Sequence, residues 1–149
     1  MFGLFKKKPA ANYPDASKWS VSEGQHNGRP MFLRRNDSAV SLAKHPDFCF
    51  RVGVAVPLNA PDKNGLPNGE EMEQLNTIED ALSSRLEIDQ QSLQVLAITT
   101  SGMREFMFYT RNPEATQQGI RDVKTGTSSH ELQSYIAEDP DWAGYKQFA

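Results

Sequence analysis

A chain of 149 residues with 38% hydrophobic and 23% charged side chains can bury one sizeable core, and it lacks the low complexity and long like-charge blocks of a disordered protein. Lys6, Lys7 and Lys8 account for three of the 16 basic residues and leave 13 against 19 acidic ones; a body of that sign repels phosphate backbones, which excludes general nucleic-acid binding. The single cysteine, Cys49, excludes an intramolecular disulfide and fits a reducing, cytoplasmic setting.

Residues 1–16 read as a flexible N-terminal tail and residues 17–149 as one domain. The tail places Phe2, Leu4 and Phe5 before its lysines, the reverse of a secretory signal, and is far too short to span a bilayer. Membrane docking through these residues is the weaker reading. Lys18 to Glu23 and Arg29 to Arg34 predict two strands joined at Gly24 to Gly28. Arg35 to Pro46 reads as irregular. From Phe48 to Val56 large apolar residues alternate with Cys49, Arg51, Gly53 and Ala55, a strand whose second face is small enough for something to pack closely.

Pro57 ends that strand, and Asn59 to Pro67 is a loop. Asn68 with Glu71 resembles a capping box opening a helix to about Glu87, with Met72, Leu75, Ile78, Leu82 and Leu86 on one face. Leu93 to Thr100 and Met103 to Thr110 predict a hairpin turning at Ser101-Gly102. A second helix runs from Pro113 to Val123, capped near Asn112. His130 to Ala137 fits either periodicity; read as a strand, it completes a β-α-β-β-α-β order. The expected fold is therefore α+β, a ferredoxin-like antiparallel sheet with two helices on one face, an added N-terminal hairpin and a short C-terminal helix. In that last helix Asp139 is the N-cap, Pro140 the first helical residue, and Trp142, Tyr145 and Phe148 form an aromatic face.

Several motifs occur in order: Trp19 with Glu23-Gly24, Asn64-Gly65-Leu66-Pro67, Ile78-Glu79 with Leu82, Arg104 to Tyr109, and Asp139-Pro140 with Trp142 and Tyr145. Together they resemble a bacterial family known as domain of unknown function 695, over roughly Lys18 to Phe148. That family is distantly similar to the regulator of ribonuclease E activity B, which has a ferredoxin-like core and binds another protein. The resemblance implies a fold and a mode of action by protein binding; it implies no chemistry.

Glu79 falls inside the apolar stripe of its helix, so its carboxylate needs a partner, such as Arg104 or Arg51, or backbone N–H groups, or a raised pKa. A satisfied ion pair is the plainer reading, and a carboxylate facing a cleft the functional one. His26, His45 and His130 lack the close spacing of metal sites, Cys49 lies mid-strand like an inert small hydrophobe, and Asp62, Asn64 and Gly65 lack a full calcium-loop pattern. No metal or cofactor is expected. Alternation places Arg51, Glu105, Met107, Tyr109, Gln133 and Tyr135 on the face opposite the helices, either as an exposed binding surface or covered by the hairpin and the C-terminal aromatics. The favoured function is a non-catalytic protein-binding or regulatory module, one version being an immunity-type inhibitor of a basic toxin or nuclease. The alternative is an enzyme using carboxylates near Glu79, Glu105 or Glu23. The candidate residues are Glu79, Arg104, Glu105, Met107, Tyr109, Asp139, Trp142 and Tyr145.

Overall fold

A computed structural model describes residues 12–148; the lysine-rich segment ahead of them lies outside the described residues. The chain is mixed α+β, with one six-stranded, wholly antiparallel sheet. The strands are β1 (Trp19–His26), β2 (Arg29–Asn36), β3 (Phe50–Pro57), β4 (Ser92–Thr100), β5 (Met103–Thr110) and β6 (Gln133–Glu138), and the helices are α1 (Gly69–Leu86), α2 (Pro113–Gly126) and α3 (Ala143–Lys146). In space the strands stand in the order β1-β2-β4-β5-β3-β6.

Both hairpins turn on two residues with positive φ, Asn27-Gly28 and Ser101-Gly102, the backbone that matches the twist of paired strands. The first loop is thus shorter than the sequence indicated, because Gly24, Gln25 and His26 pair within the ladder. Asn68 caps α1 by accepting the Glu71 N–H at 2.8 Å. The reciprocal half of the capping box is absent: the Glu71 carboxylate instead accepts from the backbone of Asn59 and Ala60 and meets His130 at 2.6 Å, tying the loop before α1 to the segment before β6.

Two cores flank the sheet. On one face Leu75, Ile78, Leu82 and Leu86 of α1 and Ile120 and Val123 of α2 pack on Val52, Val54, Val56, Phe106 and Phe108. On the other, Leu33, Leu93, Val95, Leu96, Met107 and Tyr109 are covered by Ala39 and Leu42, and by Phe48, Trp142 and Tyr145. Ala39 and Leu42 belong to a 3-10 helix, Asp37–Lys44, capped by Asn36. The sequence reading missed this helix because residues three apart stack in a 3-10 turn, a period too short to register in a polar segment. The N-terminal hairpin does not fold over this face; it extends the sheet beyond β4.

The C-terminal clasp also departs from expectation. The helix begins at Ala143, Pro140 lies outside it, and Trp142 adopts a left-handed backbone with φ 57° and ψ 39°. Asp139 still supplies the cap, accepting from the N–H groups of Ala143 and Gly144 at 2.9 Å each, and it also accepts the Tyr109 hydroxyl at 2.6 Å and Arg51 at 3.2 Å. The Trp142 indole stacks on Tyr109 at 3.9 Å between centroids, meets Tyr145 edge-on and donates to the Phe48 carbonyl at 2.7 Å. Gly144 is required by close approach, since a Cβ there would lie 2.6 Å from Arg51 Cδ.

Trp142→Ala should therefore cost about 3–5 kcal/mol in chemical denaturation; a loss well below about 1 kcal/mol would contradict a core role. Burial alone would raise the Asp139 pKa, but the Tyr109 hydroxyl, the two backbone N–H groups and Arg51 outweigh it and hold the carboxyl below the usual range. A carboxyl depressed on folding stabilises above its unfolded pKa, about 4, and that stabilisation is lost as pH falls. Asp139→Asn should lower the melting temperature at pH 7 and flatten its decline in acid, whereas an acid branch identical to wild type would assign that decline to other groups.

Candidate functional site

Because β1 and β2 project past the helices, the helix-side face of β2 and of part of β4 is left beside α1 as a groove of about 480 Å³. Its floor includes Phe32, Arg34, Ala97 and Thr99, with Val21 of β1 on one side and Met72 and Asn76 of α1 on the other. Leu66 and Pro67 close one end. Their loop is held by Asp62, whose carboxylate accepts the N–H groups of Asn64 and Leu66, and by Gly102, whose N–H donates to the Gly65 carbonyl at 3.0 Å. The residues resembling a calcium loop are thus an Asx turn that positions a groove wall.

Register explains the lining. Arg34 pairs with Ala97, Phe32 with Thr99 and Val21 with Arg34 across the β1-β2-β4 ladder, so their side chains share the helix side. Met72, Asn76 and Glu79 follow at spacings of four and three along α1, one row on its groove side. Met72, expected in the core stripe, is 37% exposed at the groove, and Val21 is 70% exposed.

Glu79 meets neither of its expected partners. It accepts Arg34 at 2.5 Å and the Gln94 amide at 2.7 Å. Arg51 projects from the opposite face of the sheet, where Asp139 takes it. Arg104 shares the helix side with Glu79 but is drawn to Thr99, donating from Nε at 2.7 Å, and to the Met72 sulfur at 3.4 Å. Arg34 could not be anticipated as the partner because the pairing of β2 with β4 joins segments some sixty residues apart, for which local periodicity carries no signal. Burial, then repulsion by Arg34, pulls the Arg104 pKa down, with only Glu79 opposing.

The other candidates lie elsewhere. Met107 and Tyr109 are 5% and 0% exposed beneath the clasp, which removes them from any exposed binding face, and Trp142, Tyr145 and Asp139 are buried with them. Glu105 is on the clasp side of the sheet and accepts the Tyr135 hydroxyl at 3.2 Å. The Tyr135 ring lies across Gly53, where a Cβ would come within 2.1 Å of it, so the small face of β3 serves close packing. Glu79, Glu105 and Glu23 are not gathered into one cleft: Glu79 is held by Arg34, Glu105 faces the other way, and Glu23, opposite Phe32 on the groove's side of β1, is exposed and does not line the groove. Among the described residues, no group of three or more His, Cys, Asp or Glu could hold a metal ion, and no helix is long and apolar enough to cross a membrane.

Replacing Glu79 by Gln leaves Arg34 without its anion at a half-buried site. A loss of about 1–2 kcal/mol in urea denaturation is expected, and a change below about 0.5 kcal/mol would show that the pair contributes nothing to folding.

The site thus combines apolar walls with two guanidinium groups, of which one is neutralised. No curated protein and no solved structure matches the chain. A family model matches residues 17–149, nearly the whole of the fold described above. The chain belongs to this family, the family of unknown function designated domain 695.

Proposed function

We propose that this protein is a non-catalytic binding module of the cytoplasm that acts on another protein, and that the groove between α1 and the β1–β2 hairpin is where it engages that partner. One observation carries the reading: the sheet is wider than its helical cover, so apolar side chains of β1, β2 and α1 surround an open groove of about 480 Å³, a size in the range of binding sites. The ferredoxin-like description of the core belongs to the same reading and is supported by the order β4-β5-β3-β6 beneath two helices. So does the distant likeness to the regulator of ribonuclease E activity B, a protein that also acts by binding.

The test is site-specific photocrosslinking in the native cell. A photoreactive residue at Val21 or Met72 should yield one discrete adduct of a defined partner, while the same residue at exposed Gln117 on α2 should not. Equal adducts from all three positions, or none from the groove, would refute the assignment.

A further inference from the structure

We infer that the groove recognises an organic monoanion, a carboxylate borne next to a large apolar side chain on the partner's segment, with Arg104 receiving the carboxylate and Phe32, Val21 and Met72 receiving the apolar group. This rests on the groove being the binding surface and adds the chemistry of what enters it.

Arg104 is the reason. It is 8% exposed, yet its five N–H donors have as named partners only the Thr99 hydroxyl and a thioether sulfur, the latter a weak acceptor. None of the ion pairs among the described residues includes it. Glu79 attracts it only from beyond ion-pair distance, and a buried cation with no carboxylate in contact carries a desolvation cost that one in fork geometry would offset. The guanidinium lines the groove, so the missing partner can arrive from that side.

The charge count selects the ligand. Among the groove and its immediate ion pair, Arg34 and Arg104 set against Glu79 leave one net positive charge, which a single carboxylate neutralises; Glu23, opposite Phe32 on the same side of β1, is solvent-exposed outside the lining, where its charge is screened. A phosphate dianion would bring surplus negative charge to within reach of Glu79, and the acidic body opposes polyanions generally. Asn76 of α1 also lines the groove and adds an amide able to donate to an anion there. Apolar walls then favour a carboxylate attached to hydrocarbon over a small hydrated anion.

The probes are two capped tripeptides, acetyl-Leu-Asp-Leu-amide and its Asn counterpart, and inorganic phosphate, titrated into the full chain while the Arg104 Nε–H and the backbone N–H signals of Phe32, Met72 and Asn76 are followed by NMR. The Asp peptide should move all four and bind at least tenfold tighter than the Asn peptide, and phosphate should leave them in place. Arg104→Met should equalise the two peptides, and Arg104→Lys should keep part of the preference. Should Arg104→Met fail to fold, ionic strength serves instead: going from about 20 mM to about 500 mM salt should weaken only the Asp peptide. Equal affinity of the two peptides with the groove signals moving would overturn the carboxylate inference and leave the groove standing. Phosphate moving Arg104 as strongly as the Asp peptide would also overturn it. If no probe moves any groove signal and Val21 and Met72 give no crosslink, the groove assignment itself fails.

Discussion

An α-helix with its side chains is about 10 Å across and strands lie about 4.8 Å apart, so two helices cover roughly four strands. This sheet has six. Everything distinctive about the molecule follows from that mismatch. On the helix side, α1 and α2 are spent on β3, β4, β5 and β6, and the strip formed by β1 and β2 has no helix to bury it. The apolar residues there, Val21 and Phe32, neither join the core nor scatter over the surface; they stand together beside the edge of α1. A sheet of four strands with the same helices would have no groove.

The opposite face meets the same shortage with different material. No long helix is available there, so the 3-10 helix and the final turn supply buried area with few residues, through Leu42, Trp142 and Tyr145. Large aromatics suit this use, because each covers much surface at the cost of two side-chain torsions. Trp142 must then be held in a left-handed backbone, a conformation that costs on the order of 1–3 kcal/mol for a residue with a side chain. Asp139 holds it there: one carboxylate joins β5 through Tyr109, β3 through Arg51 and the last helix through two N–H groups. The polar cluster is small, but its members come from three elements and every oxygen of the Asp139 carboxylate is engaged, while the buried Nε of Arg51 is left without a partner.

Local patterns made most of the secondary structure legible, and long-range pairing accounts for what was missed. The alternation after Phe48, the stripe on α1 and the two glycine turns are encoded within single segments, so strand, helix and hairpin were readable there. The need of Glu79 for a partner was also readable, since its place on the helical wheel is local information. Its partner was not readable, because Arg34 reaches it only once β2 has docked on β4. The same holds for Met107 and Tyr109, whose side of the sheet was readable from alternation but whose cover comes from residues 39–42 and 142–145. Arg104 was noticed as a possible partner for Glu79, and its isolation became visible only with the fold. The aromatic clasp was read as a helix from Pro140, yet Asp139 binds N–H groups one turn later, leaving Trp142 as the strained residue in between.

Arg104 also separates the demands of folding from those of binding. It occupies the helix side of β5 in sequence with Phe106 and Phe108, both fully buried. By position a leucine or methionine would continue that apolar row, remove the desolvation of a charge and the repulsion from Arg34, and lose the bonds to Thr99 and Met72 and the longer-range attraction of Glu79. Replacing a buried charge by a well-packed apolar side chain is often neutral or stabilising. The guanidinium is therefore not explained by stability. At the end of the row, where the helical cover stops and the groove begins, it supplies what an apolar side chain could not: a fixed positive charge in a setting of low polarity, where an incoming carboxylate would be attracted more strongly than in water. The mismatch between sheet and helices opens the groove, and Arg104 gives that opening a chemical preference.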